Sequence, residues 1–137
     1  MVAFVKHNAF AANIGNGIYN LNSDTIKVAL TDASNAAVDV YGSITGELST
    51  ANGYTAGGAA FTSTGYTQSG GTATLAATGP TITATGTVGP FRYAYAYDST
   101  AASKNVIGHW DYGSEITLNN GDSVALTPTG SAIFTLA

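Results

Sequence analysis

The chain has 137 residues, enough for one domain with its own core, and it contains no cysteine, which excludes disulfides and thiolate metal sites. Only 9% of its residues are charged, against about 25% in an ordinary soluble domain, and the net charge is −4. Lys6, Lys27, Arg92 and Lys104 form no basic stripe for phosphates or an anionic membrane surface, and no stretch approaches the ~20 apolar residues of a spanning helix.

At the N-terminus, Lys6 and His7 follow a four-residue apolar run, the reverse of a secretion signal. Synthesis and use from the cytoplasm are therefore expected. Residues 1–22 read as an arm or a short helix. Phe4, Phe10, Ala11 and Ile14 fall roughly at helical spacing, and Gly15-Asn16-Gly17 would end the helix. Residues 23–137 read as one β domain.

Thr25–Leu30 alternates apolar Ile26, Val28 and Leu30 with Thr25, Lys27 and Ala29, the period of a strand with one buried and one wet face. Residues 36–60 are rich in glycine and read as an ordered loop anchored by Tyr41, Leu48 and Tyr54, with a short helical turn at 43–49 and Glu47 exposed. A meander follows: Ala60–Tyr66, a turn at Ser69-Gly70-Gly71, Thr72–Ala76, then Thr81–Thr85.

Phe91–Tyr97 places Phe91, Tyr93, Tyr95 and Tyr97 on one face and Arg92, Ala94 and Ala96 on the other. The alanine face would admit a close neighbour, and the aromatic face buries large area. Val106–Asp111 is a strand, Gly113-Ser114 a turn, Glu115–Leu118 a strand and Asn119–Asp122 a hairpin signal. Ser123–Leu126 and Ala132–Leu136 complete the set. Short strands at spacings near ten residues predict an all-β, single-domain antiparallel sandwich (jelly-roll or Ig-like) or a partly closed barrel.

Catalysis finds little support. His109 and Asp111 share a strand face, but no nucleophile elbow accompanies them. The six aspartates lie mostly at turns, where they bond their own backbone. No segment has the oxygen density of a calcium loop, and the glycines of residues 53–58 are not followed by a phosphate-binding lysine. The lone Trp110, in an alternating strand, is expected in the core. No catalytic residue, metal or cofactor is expected.

Three segments together resemble small virion proteins of tailed bacteriophages. They are Asp24-Thr25-Ile26-Lys27-Val28-Ala29-Leu30; Gly46-Glu47-Leu48 running to Gly53-Tyr54-Thr55-Ala56-Gly57-Gly58; and Arg92-Tyr93-Ala94 leading on to Ile107-Gly108-His109-Trp110-Asp111-Tyr112-Gly113. The aromatic-rich Phe91–Tyr97 strand departs from that pattern. The resemblance implies a capsid decoration (cement) protein on the capsid surface of a virion. Its implied partners are the major capsid protein and further copies of itself as dimers or trimers, with no nucleic acid and no membrane. A tail or baseplate component, or a carbohydrate-binding module stacking sugars on Trp110, Tyr93 or Tyr95, are the alternatives. Candidate interface residues are Phe4, Phe10, Tyr54, Arg92, Tyr93, Tyr95 and Trp110.

Overall fold

The structure, a computed structural model, describes residues 2–137, with the backbone alone for Ser63. In chain order it contains β1 (Phe4–Lys6), α1 (Asn8–Gly15), β2 (Ile26–Thr31), β3 (Ala59–Ala60), β4 (Ser63–Ser69), β5 (Thr72–Thr78) and β6 (Thr81–Thr83). Then come β7 (Val88–Asp98), β8 (Val106–Leu118), β9 (Ser123–Ala125) and β10 (Ala132–Leu136), with 3₁₀ turns at Tyr41–Ser43 and Thr129–Ser131. The strands form an all-β antiparallel sandwich in which no barrel closes. One sheet has the order β1-β8-β7-β2-β3, the other β10-β5-β4, and β6 pairs with β9.

Between the layers, Ile26, Val28 and Leu30 of β2 meet Leu75 of β5, Ala94 and Ala96 of β7, Trp110 of β8 and Phe134 of β10. Trp110 is 1% exposed, so it is core, as its alternating strand predicts. The outer face of β2 is open to water only at Lys27: Ala29 and Thr31 are also fully buried. Ala29, Tyr95, Tyr97 and Val106 form a second apolar cluster there, covered by Tyr41 and Ile44 of the long loop between β2 and β3. A loop anchored by aromatic residues thus gives the five-stranded sheet two buried faces.

Three features differ from the expectations. Residues 2–22 are not a separate arm. β1 is hydrogen-bonded to β8, with Phe4 opposite Trp110, and Phe10 of α1 is completely buried. The helix occupies the expected segment, but Phe4 lies on the strand before it.

The aromatic face of β7 is also divided. Phe91 lies opposite Ile116 and Tyr93 opposite Asp111, so two steps on β7 span five on β8. This bulge turns Phe91 into the main core while Tyr93, Tyr95 and Tyr97 face the second cluster. Ala94 and Ala96 are fully buried between the layers, where they admit the second layer of this same molecule and not an external partner.

Finally, Gly113 takes φ +82 inside β8, which runs on for 13 residues without the expected break. The Asn119–Asp122 turn delivers β9 to β6 and not back to β8.

Candidate functional site

Glu47 organises the long loop. It is half-buried, in extended chain bridged to Thr31, and not in an exposed helical turn. One carboxylate oxygen, Oε1, accepts from the Tyr54 hydroxyl at 2.8 Å and from the Gly57 N–H at 2.6 Å. Oε2 accepts from the Tyr41 hydroxyl at 2.6 Å. The Tyr54 oxygen accepts in turn from the Leu30 N–H at 3.0 Å, which ties the loop to β2. The Tyr97 hydroxyl donates to the Gly57 carbonyl. Burial pushes the Tyr41 and Tyr54 hydroxyls well above their ordinary range and that of Tyr97 to about 12, so all three stay protonated as donors.

Gly58 sits at φ +75, and a Cβ there would lie 2.0 Å from the Val28 carbonyl oxygen. The Glu47 and Gly53–Gly58 segments are therefore one structural unit, a staple that packs the loop on the sheet.

A second polar cluster lies further along the same sheet. His109 of β8 stands opposite both Val5 of β1 and Tyr95 of β7. Its Nδ1 lies 2.9 Å from Nε2 of His7, whose Nδ1 lies 2.8 Å from the Val38 carbonyl. The chain's two histidines are thus in contact, and both are buried. The Tyr95 ring stacks on His109 with centroids 5.2 Å apart, and its hydroxyl accepts from the Asn35 N–H. Burial lowers both histidines below the ordinary 6.5, and each also feels a nearby aspartate, Asp39 or Asp111, that pulls the other way. These ring nitrogens tie the end of β1 to β8 and to the loop at Val38.

At the end of β7, Asp98 is buried. Its Oδ1 accepts from the Thr100 and Ala101 N–H groups at 2.9 and 3.1 Å. Among the described residues no donor lies within hydrogen-bond reach of its Oδ2. Burial, helped by the Asp24 carboxyl beside it, pushes its pKa up to about 6.

The seven candidate interface residues do not come together at the surface. Phe10, Tyr54, Tyr95 and Trp110 are all 3% exposed or less, because each fills the core or a buried polar cluster. Trp110 and Tyr95 therefore cannot present a stacking platform to a sugar. Phe4 is half-buried against Trp110, with ring centroids 4.9 Å apart. Arg92 and Tyr93, like Phe4, reach the surface in part. The Arg92 guanidinium donates to both carboxylate oxygens of Asp111, at 2.8 and 3.1 Å, and lies 5.3 Å from the Tyr93 ring centroid.

The surface feature that stands out is the distribution of charge. No Asp, Glu, Lys or Arg occurs between Glu47 and Arg92, or after Asp122. These stretches build β4, β5 and β10, together with β6 and β9. The three-stranded sheet therefore carries no charged side chain. Along β5, Leu75 and Ala77 point inward and Ala76 and Thr78 outward. The pairing aligns Gly65, Ala76 and Ala132 in one rank, and Thr67, Thr74 and Thr135 in the next. Both ranks are partly or fully exposed. The outer face of this sheet is thus small-residue and neutral.

Among the described residues, two of the open clefts flank the core. One, of about 450 Å³, is lined by Glu47, Leu48, Tyr54, Val88 and Pro90. The other, of about 400 Å³, lies between Ile14, Tyr19, Leu21 and Tyr66. Among the described residues no three His, Asp or Glu side chains gather in a metal-binding group, and no helix is long and apolar enough to cross a membrane. No family model, curated protein or solved structure matches the chain.

Proposed function

We infer that the chain is a bacteriophage virion structural protein, a capsid decoration protein that binds the outer shell and stabilises it by protein–protein contact. The observation that supports this reading is the uncharged outer face of the β10-β5-β4 sheet. Charge is what ordinarily keeps an exposed sheet soluble and unpaired. A neutral face of threonine, alanine and glycine loses little solvation when another surface covers it, because no charge has to be desolvated. The resemblance of the Asp24–Leu30, Gly46–Gly58 and Arg92–Gly113 segments to virion proteins supplies the partner, the major capsid protein. The role needs no catalytic step. A ligand that binds only the assembled shell stabilises it by mass action.

The test is to add the purified protein to shells that lack it and to measure their resistance to heat. Bound protein is expected to raise the temperature at which the shells come apart. Ala76→Lys and Thr74→Glu, on the exposed face, are expected to keep the fold and abolish binding. Equal resistance with and without the protein would overturn the reading. Microscopy of labelled virions separates the capsid from the tail or baseplate.

A further inference from the structure

His7 joins β1 to α1. It occupies the residue before the helix, with an extended backbone at φ −74 and ψ 148, yet its side chain does not cap the helix. It turns inward instead and is 2% exposed, against 7% for His109. The His7 N–H also donates to the Ile107 carbonyl at 3.0 Å, so the residue is held by backbone and side chain alike.

We propose that the His7–His109 pair is an acid-sensitive latch holding strand β1 on the edge of the five-stranded sheet. The proposal stands apart from the decoration role.

The hydrogen-bond geometry sets how many protons the pair can hold. With both rings neutral, the His7 Nδ1–H donates to the Val38 carbonyl, and the His7 Nε2 lone pair accepts the Nδ1–H of His109. Every bond is made. One added proton is accommodated by a change of tautomer: the His7 Nε2–H donates to His109 Nδ1, and the hydrogen of His109 moves to its Nε2. A second proton has no place. Two N–H groups would then face each other across 2.9 Å with no acceptor between them, in a buried site.

The neighbouring groups do not relieve this. Asp39 from the loop between β2 and β3, and Asp111 of β8, act on the pair from its margins, and Asp111 is already engaged by Arg92. Tyr95 and Tyr93 of β7 approach His109 as rings. The helix α1 carries no titratable side chain. Burial lowers both histidines from their ordinary 6.5, so the hold on β1 is complete above that value and is lost as the pH falls below it. What remains is a three-residue strand, with the Phe4 ring on Trp110.

Amide exchange of the intact protein, followed from neutral to mildly acid pH, tests this. The protection of Val5 and His7, whose N–H groups face β8, is expected to fall by about tenfold or more below pH 6.5, while the β2 and β7 amides keep theirs. Emission from Trp110, the sole tryptophan, should change over the same range as Phe4 leaves it. In His109→Gln and, independently, His7→Gln, neither ring pair nor double charge can form, and both acid transitions should vanish. The latch is overturned if the β1 amides stay protected, if β1 and the core lose protection together, or if the transition persists in either glutamine variant.

Discussion

The two polar clusters of the five-stranded sheet perform the same mechanical task with different chemistry. Glu47 ties the long loop to β2, and His7 with His109 ties the N-terminal strand to β8. The carboxylate only accepts, and its three partners are hydroxyl or amide donors that do not change state near neutral pH. The histidine pair must choose where its hydrogens sit, and it can fill every bond only with a limited number of them. A buried group surrounded by donors of fixed role makes an anchor. A buried pair of rings with exchangeable roles makes a joint that solution conditions can open.

Glu47→Ala breaks the anchor and should have the largest effect. It strands the buried Tyr54 hydroxyl, together with the half-buried Tyr41 hydroxyl and Gly57 N–H, which water can partly satisfy, at about 1–3 kcal/mol for a donor left fully buried. A total loss of roughly 2–5 kcal/mol is expected in urea unfolding at neutral pH. An unchanged urea midpoint would show that the carboxylate does not anchor the loop.

Gly108→Ala strikes the joint without touching its polar atoms. A Cβ there would lie 2.3 Å from both the Phe4 ring and the Val5 carbonyl, so β1 must shift. Overpacking of this kind costs about 1–3 kcal/mol. Exchange at Val5 and His7 should be fast even at neutral pH. Unchanged protection there would mean that β1 is not held by its fit against β8.

Asp98 gives the smallest and most diagnostic effect. Its raised pKa, about 6, means that its contribution to stability is present at low pH and lost as the pH rises through that value. The histidines, lowered from 6.5, contribute above that value and lose their contribution as the pH falls. The two trends oppose each other in mild acid. Asp98→Asn removes one of them, so its urea midpoint should fall more steeply with acid than that of the parent. Parallel pH profiles for the two proteins would show that Asp98 does not titrate there.

The sequence displays the strands because alternation is a local property. Ile26, Val28 and Leu30 announce β2, and Gly70-Gly71 announces the β4–β5 turn. The helix that follows β1 is likewise marked by its glycine stop. The clusters are not local. His7 and His109 stand 102 residues apart, and no spacing rule connects them. The signal available was that the chain has two histidines, both in otherwise apolar strands or strand ends. Glu47 was hidden because a lone glutamate among glycines has no period, and its partners Tyr41 and Tyr54 carry their information in the hydroxyl. The tyrosine face of β7 was half legible: period two places Tyr93, Tyr95 and Tyr97 together, but the bulge that sends Phe91 the other way depends on β8. Burial of Tyr95 and Trp110 follows from what covers each face of the sheet, which alternation along one strand does not contain.

The pairing of β1 with β8 has a consequence for the chain as it is made. Phe4 leaves the ribosome about a hundred residues before Trp110, the residue it will lie against. At 5–20 residues per second this interval lasts about 5–20 s. Throughout it, Phe4 and Phe10 have no site to occupy, and the first strand in the chain order must be among the last to join its sheet.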